Sequence, residues 1–128
     1  MRKFYFIVLA FITIQSCTKD ENCAGIIIHQ VKITDSLGKA VVFDKFFTIC
    51  LNTKPDTLVI DRYLSDSLQY YPLIDDTYSD VFTKKEVNTN FKFVGIKGTD
   101  TLTSPYVFKY DGCHIQLISG VSKIIHQK

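Results

Sequence analysis

The chain has 128 residues, of which 15 are basic and 13 acidic, so its formal net charge is +2. This length is enough for one domain with one hydrophobic core. Beyond the first few residues the one basic pair is Lys84 and Lys85, which excludes a nucleic-acid-binding surface and predicts no nucleic acid among the partners.

The first 16 residues have the pattern of a secretory signal. Arg2 and Lys3 give it a positive start, and residues 4–14 are apolar except for Thr13. These eleven residues, at 1.5 Å each, reach only about half of the roughly 30 Å hydrocarbon core, so they are too short to span it as a helix. A basic start, a short apolar stretch and a small residue before the cut are typical of an exported chain. We therefore predict a signal peptide over residues 1–16.

The predicted cleavage site resembles the lipobox of bacterial lipoproteins. It reads Ile14-Gln15-Ser16-Cys17, which is an aliphatic, a variable and a small residue before cysteine, although a small residue is commonest where Gln15 stands. The resemblance implies cleavage before Cys17 and a lipid anchor on its thiol, which would hold the chain to a membrane. An ordinary signal peptide followed by a chance cysteine is the alternative.

The residues directly after this site resemble the surface-export signal of lipoproteins in the Bacteroidota, a lysine followed by two acids. Here the three residues are Lys19, Asp20 and Glu21. The resemblance implies an outer-membrane lipoprotein on the cell surface. Residues 17–22 are then a lipidated tether, and residues 23–128 are the folded domain. A charged, solvated tether without a role in export is the alternative.

The mature region has the composition of a β protein, because threonine, valine, isoleucine and aromatic residues dominate it. Strand patterns separated by turn residues lie at 25–34, 40–51, 57–60, 70–74, 90–97, 102–110, 113–118 and 122–126. The second is expected to kink at Asp44, and the fourth contains Pro72 and is expected at a sheet edge. The acidic residues 75–80 are expected to form a loop, and Asp111-Gly112 is the strongest hairpin signal. Seven or eight short strands predict an all-β, antiparallel β-sandwich of immunoglobulin-like or transthyretin-like kind, with a partly open barrel as the alternative.

Parts of the mature region also resemble a group of small uncharacterised Bacteroidota lipoproteins. The similar segments are residues 71–78, 91–95, 105–107 and 111–115. The resemblance implies a common fold over most of the mature chain. It implies no activity, so no catalytic residue is carried over.

Three cysteines lie in the mature region beyond the tether. An exported chain meets an oxidising compartment, so we expect one disulfide and one remaining thiol. Cys23 stands just before the first strand and Cys113 opens a late strand, and the first and last main strands of a sandwich often lie side by side. If these strands run parallel, both cysteines lie at one end. We favour Cys23–Cys113 over Cys50–Cys113, and expect Cys50 to be a buried thiol. We expect Phe46, Phe47 and Leu51, or the residues that face them, to shield this thiol.

Four positions resemble the O-glycosylation sequon of the Bacteroidota, an aspartate followed by a hydroxyl residue and leucine. The hydroxyl residues are Ser36, Thr57, Ser67 and Thr101. All four fall in or next to predicted turns, where they would be exposed for modification. Turn chemistry is the alternative reason for the same pattern, because Asp-Ser and Asp-Thr commonly begin turns.

The sequence contains no catalytic, phosphate-binding or dinucleotide-binding motif, and no two of its histidines have metal-ligand spacing. We therefore predict no catalytic residue, no metal and no cofactor. Tyr63, Tyr70, Tyr71 and Tyr78, if exposed, could contact a glycan or an envelope protein, and partial packing into the core is the alternative reason for most of them. The predicted function is a lipid-anchored surface binding or structural module. The alternative is a small hydrolase or an enzyme inhibitor whose site is assembled by the fold.

Overall fold

The computed structural model describes residues 23–52, 56–58 and 69–127, so the predicted signal peptide and tether lie outside the described residues. The described strands are β1 (Ile28–Asp35), β2 (Lys45–Cys50), β3 (Asp56–Leu58), β4 (Tyr70–Asp75), β5 (Thr89–Lys97), β6 (Asp100–Tyr110), β7 (Ile115–Ser119) and β8 (Lys123–His126). A short 3₁₀ helix, Asp76–Val81, follows β4. Within the described ranges, no helix is both long enough and apolar enough to cross a membrane.

The strands form two sheets that pack face to face. One sheet has three strands in the order β4-β1-β8, and the other has five in the order β3-β2-β5-β6-β7. Every pair is antiparallel except β1 with β8, in which Lys32 is the register partner of Lys123. This confirms the predicted all-β sandwich. Two separately hydrogen-bonded sheets also distinguish it from the barrel alternative.

The core lies between the sheets and is filled mainly by aromatic and aliphatic side chains. Because side chains alternate across a strand, every second residue of β5 and β6 points inward. The inward side chains with at most 1% exposure include Phe91, Phe93, Tyr106 and Phe108. The three-stranded sheet meets them with Val31, Ile33, Tyr71 and Leu73, each at most 2% exposed.

Tyr71 shows how the core accommodates a polar atom. Its hydroxyl donates to the backbone oxygen of Val41 and accepts from the backbone N–H of Phe43 at 3.3 Å. Burial raises the pKa of Tyr71, and the Phe43 hydrogen bond only partly opposes this. The ring of Phe43 also lies over Gly95, where an added Cβ atom would be 2.7 Å from it. Gly95 is therefore required by a close approach between the connection before β2 and the middle of β5.

Two predicted features of this half of the chain are confirmed. The second strand pattern bends at Asp44, so that β2 begins at Lys45 while Ala40 forms an isolated bridge with Thr34 of β1. Pro72 lies in β4, which is an edge strand as predicted. Proline has no N–H to donate, so an edge is where it is tolerated.

The predicted acidic loop is wrong, because most of it forms the 3₁₀ helix. Asp75 caps the helix by accepting a hydrogen bond from the backbone N–H of Thr77 at 2.9 Å. A side-chain acceptor at this position satisfies an N–H that has no partner within the helix. The carboxylate of Asp76 accepts hydrogen bonds from residues that are far away in the sequence. A run of acidic residues does not reveal such contacts.

Candidate functional site

The disulfide joins Cys23 to Cys113, as predicted. The two residues are 90 positions apart, and their α-carbons are 5.3 Å apart. The strand pairing behind the prediction is different, because the parallel neighbour of β1 is β8. Cys113 instead lies in the connection between β6 and β7 of the other sheet. The bond therefore ties the segment before β1 to the five-stranded sheet.

Cys50 is a buried thiol at the end of β2, which confirms the expectation of burial. It is 2% exposed, and its register partner on β5 is the buried Phe91. The expected shielding by Leu51 is wrong, because Leu51 is 47% exposed. Successive residues of a strand point to opposite faces, so an inward Cys50 turns Leu51 outward.

Asp76 joins three parts of the chain near the disulfide. Its carboxylate accepts hydrogen bonds from the backbone N–H of Ile27 at 2.8 Å and of Ile115 at 2.7 Å, and it lies 2.7 Å from Nδ1 of His114. Burial raises the pKa of Asp76, but these hydrogen bonds and the charge of His114 outweigh burial and lower the pKa.

A carboxylate beside an imidazole is also the arrangement by which hydrolases orient a catalytic histidine. In this structure each carboxylate oxygen of Asp76 also accepts a backbone N–H, one from Ile27 and one from Ile115. The contact therefore clamps the start of β1 and the start of β7 to the 3₁₀ helix, which is a structural role. Nε2 of His29 adds a second contact at this point, 2.6 Å from the backbone oxygen of Ile115.

Asp111 closes the hairpin between β6 and β7, as its Asp-Gly pair predicts. Its carboxylate accepts hydrogen bonds from the backbone N–H groups of Cys113 and His114, both at 2.8 Å. These hydrogen bonds, that of His114 first, lower the pKa of Asp111. The backbone N–H of Asp111 in turn donates to the oxygen of His114 at 3.1 Å. The turn that carries Cys113 is thus fixed independently of the disulfide.

The outer surface of strands β2, β5 and β6, which we call the cationic face, carries basic but no acidic residues at its outward positions. Thr48 and Phe93 are buried and point inward, so their neighbours in each strand lie on the outward side, where Lys92 is partly exposed and Val94 is 7% exposed. The outward positions include three lysines: Lys45 on β2, Lys92 on β5 and Lys109 on β6. The other outward positions of these strands are apolar residues, threonines and one asparagine.

The register places the three lysines on a diagonal across the cationic face. Lys45 pairs with Ile96, which lies four residues from Lys92 along β5. Lys92 pairs with Pro105, which lies four residues from Lys109 along β6. Four residues of strand span about 13 Å and neighbouring strands are about 4.8 Å apart, so successive lysines are about 14 Å apart.

The three lysines have different surroundings. The ammonium of Lys45 lies 5.4 Å from the ring centre of Phe47, a cation–π contact that holds the charge against the face. The ammonium of Lys109 is 2.7 Å from the carboxylate of Glu86, which lies in the loop before β5. Exposed pairs of this kind are weak, about 0–1 kcal/mol, so an anionic ligand could replace Glu86.

A hollow of about 280 Å³ opens on the cationic face between Lys92 and Lys109. Its polar lining residues include Asn90 on β5 and Ser119 on β7. Its apolar lining includes Leu51, Pro105 and Val107, while Phe91 and Tyr106 border it with side chains that are only 1% exposed and point into the core. This volume lies below that of pockets for drug-sized ligands, about 300–1,000 Å³, and suits one ring of a longer ligand.

A second cavity of similar size lies at the opposite end of β1 from the disulfide. It measures about 250 Å³, and its lining includes Asp35, Ser36, Lys97 and His126. Asp35 accepts hydrogen bonds from the backbone N–H groups of Leu37 and Lys39, so its carboxylate is used to hold the turn after β1.

Two of the predicted glycosylation positions are exposed in the structure. Ser36 lies in the turn after β1, and Thr101 lies near the start of β6, on the cationic face. The backbone of Thr57 belongs to β3, but its side chain is outside the description, as is all of Ser67. Modification at all four positions stays a prediction.

Cys17, Lys19, Asp20 and Glu21, predicted to carry the anchor and the export signal, lie outside the described residues. Of the tyrosines that were candidates for exposure, Tyr70 is 47% exposed and Tyr71 is 2% exposed. Tyr71 therefore follows the core-packing alternative, because its side chain points between the two sheets. Tyr78 is partly buried, and Tyr63 is outside the described residues.

Sequence reasoning missed the clamp at Asp76 and the cationic face. The partners of Asp76 are 49 and 39 positions away, so nothing local indicated them. Alternation could have placed Lys45, Lys92 and Lys109 outward, but their diagonal depends on the register of three strands. Among the described residues, no group of three or more His, Cys, Asp or Glu side chains could hold a metal ion.

Comparison with known proteins adds nothing to this geometry. No protein-family model, no curated protein and no solved structure matches the chain. Function must therefore be inferred from the cationic face and from the N-terminal motifs.

Proposed function

We propose that this protein is a lipid-anchored module of the bacterial outer-membrane surface, and that its cationic face binds an acidic polysaccharide. The observation that carries the binding proposal is the diagonal of Lys45, Lys92 and Lys109 on strands without outward acidic residues, where one acid from a neighbouring loop, Glu86, pairs with Lys109. The lipobox that ends at Cys17 supports the anchor, and residues 19–21 support the surface location.

The shape of the cationic face favours a long, repeating ligand. Cations at regular intervals of about 14 Å can meet the regularly spaced acidic groups of a polymer. The hollow between Lys92 and Lys109 offers Asn90 and Ser119 as hydrogen-bonding groups, and Leu51, Pro105 and Val107 as an apolar surface for one sugar ring. A small charged ligand would gain little here, because the lysines are too far apart to meet on one group.

The binding proposal is tested by measuring affinity for acidic and neutral polysaccharides of matched length. The variant with Lys45→Glu and Lys92→Glu should bind the acidic polymer at least about tenfold more weakly, which corresponds to about 1.4 kcal/mol. Raising the salt concentration should weaken wild-type binding, because exposed charges are screened over about 10 Å at 0.1 M salt.

The matched control is Lys32→Glu with Lys123→Glu, which makes the same charge change on β1 and β8 of the other sheet. It should leave binding close to wild type. Equal losses in the control and in the variant with Lys45→Glu and Lys92→Glu would show that only net charge matters and would contradict a role for the cationic face. Binding of an acidic protein but not of acidic polysaccharides would refute the choice of ligand.

The anchor is tested by replacing Cys17 with alanine. Radiolabelled palmitate should enter the wild-type chain and not the Cys17→Ala chain, because the acyl chains need this residue. Without them the protein should leave the membrane fraction, since each buried CH₂ contributes about 0.8 kcal/mol to anchoring. Equal labelling of the two chains would refute lipidation at Cys17.

The surface location is tested by replacing Lys19, Asp20 and Glu21 with alanine. The lipid should remain, but whole cells treated with external protease should no longer lose the protein. Unchanged protease accessibility would refute an export role for these residues.

A further inference from the structure

Three consecutive isoleucines, which we call the isoleucine ridge, project into solvent at the disulfide end of the sandwich. Ile26 is 63% exposed, and Ile27 and Ile28 are each 42% exposed. Exposed aliphatic side chains that stand singly are ordinary on a protein surface, but a contiguous group marks a contact surface.

The backbone of the ridge is fixed on both sides. Cys23, just before it, is bonded to Cys113, and the backbone N–H of Ile27 donates to the carboxylate of Asp76 at 2.8 Å. The backbone oxygen of Ile27 also accepts from the N–H of Asp76 at 3.3 Å. The isoleucines are therefore held outward by the fold.

The proposed anchor lies within a short distance of this end. Five residues separate Cys17 from Cys23, and the six Cα-to-Cα steps between them reach at most about 22 Å. The disulfide holds Cys23 to Cys113, so the first residues of the domain cannot detach and lengthen the segment between Cys17 and the domain. The ridge begins three residues after Cys23, so a lipid on Cys17 keeps it near the bilayer surface.

Two exposed lysines flank the same end. Lys84 and Lys85 lie in the loop after the 3₁₀ helix, and the ammonium of Lys85 lies so close to Gly112, beside Cys113, that an added Cβ atom would be 2.5 Å from it. Lysines next to an apolar surface suit the phosphate layer of a membrane that contains anionic lipids.

Most acidic side chains at the disulfide end form hydrogen bonds or an ion pair within the domain. The carboxylates of Asp76 and Asp111 accept backbone N–H groups, and Glu86 is paired with Lys109. Asp80 is also exposed at this end, so one exposed acidic residue accompanies the two exposed lysines, Lys84 and Lys85.

We propose that the isoleucine ridge, with Lys84 and Lys85, is a membrane-contact face that lays the disulfide end of the sandwich on the bilayer. This inference rests on the proposed lipid anchor, which supplies proximity, while the ridge fixes the orientation. In this orientation β1 begins at the membrane, and the turn after β1 lies at the end of the domain away from the bilayer. The cationic face then remains exposed to solvent at the side of the domain.

Tryptophan is absent from the sequence, so one introduced tryptophan reports its own surroundings. The lipidated full chain carrying Ile27→Trp is placed in vesicles of phosphatidylcholine and phosphatidylglycerol, with and without brominated acyl chains. Bromine quenches tryptophan on contact, so the emission should shift to shorter wavelength and fall by about twofold or more if the ridge enters the interface.

The matched control is Leu37→Trp, at a residue that is 79% exposed in the turn after β1. The eight residues of β1 place this turn about 26 Å from the ridge. Its emission should not respond to bromine. Equal quenching of both tryptophans, or quenching of neither in a chain whose acyl groups are shown by mass spectrometry, would overturn the proposal. Failure of both would leave a protein partner as the occupant of the ridge.

Two further variants test the contributions separately in the Ile27→Trp chain. Ile26→Ser with Ile28→Ser should reduce quenching on all vesicles, and Lys84→Glu with Lys85→Glu should reduce it only where phosphatidylglycerol is present. If both pairs of changes leave quenching intact, the anchor alone would explain contact and the proposal fails.

A failure of the anchor is recognised independently. If mass spectrometry shows no acyl group on Cys17, the same vesicles are added to the unlipidated Ile27→Trp chain in excess. Quenching there supports the ridge as a contact surface on its own, and no quenching overturns it.

Discussion

Breaking the disulfide is expected to remove a large share of the stability of the domain. Cys23 and Cys113 close a loop of 90 positions, for which the chain-entropy relation gives about 4.6 kcal/mol at 25 °C. A domain of about 100 residues is stable by only about 5–15 kcal/mol. At an unfolding entropy of about 2.1 cal/mol/K per residue, the loss lowers the melting temperature by roughly 20 °C.

The assay is urea unfolding of the mature chain without Cys17, under oxidising conditions and again with a reducing agent. Cys23→Ser, Cys113→Ser and the double variant should all lose about the same free energy of unfolding, because the two residues act as one unit. Reduction should destabilise the wild type by that amount and leave these three variants unchanged.

Cys50→Ser is the control. It should cost about 1–3 kcal/mol, because a hydroxyl replaces a thiol in an apolar site, and it should keep the response to reduction. Losses that add in the double variant, or a peptide map that links Cys50 to either partner, would refute this account of the bond.

Three more substitutions test the packing and the charge of the domain. Gly95→Ala should destabilise by about 1–3 kcal/mol, measured by thermal unfolding, because the new methyl group would meet the Phe43 ring; a neutral result would contradict the close approach. Tyr71→Phe should cost about 1–3 kcal/mol in urea unfolding, since the backbone oxygen of Val41 loses its buried donor, and no loss would mean that another donor replaces it. Asp76 has a lowered pKa, so its contribution is present above the usual value near 3.8 and is lost as the pH falls through the folded value. Asp76→Asn should therefore be less stable near neutral pH and lose less stability on acidification than the wild type, and parallel curves of stability against pH would count against the clamp.

Local patterns predicted the strands in which one face is buried. In β5 the alternation of Phe91 and Phe93 with polar or smaller residues is the signal behind the predicted strand at 90–97, and Asp111-Gly112 predicted the hairpin correctly. Both signals act over a few residues, through side-chain direction and turn conformation. The strand set and the sandwich follow from such signals because each strand buries one face.

Features that depend on distant partners could not be predicted in the same way. The acidic residues after β4 suggested a loop, but Asp76 is held by backbone groups of Ile27 and Ile115, which only the folded sandwich brings near. The disulfide prediction was correct although Cys113 precedes β7 and not the strand that pairs with β1. An oxidising compartment and three cysteines leave few possible disulfide pairings. The correct pairing could therefore be predicted although the strand expected beside β1 was wrong.

The parallel pairing of β1 with β8 has a consequence for the order of folding. The first strand of the domain obtains one of its two neighbours only when the last few residues of the chain arrive. Contacts so distant in sequence form slowly, because a long loop must be closed first. Until β8 has formed, β1 therefore keeps one edge without its hydrogen-bonded neighbour. Truncation before Lys123 would remove this neighbour and leave the first strand of the domain with β4 as its one partner in the sheet.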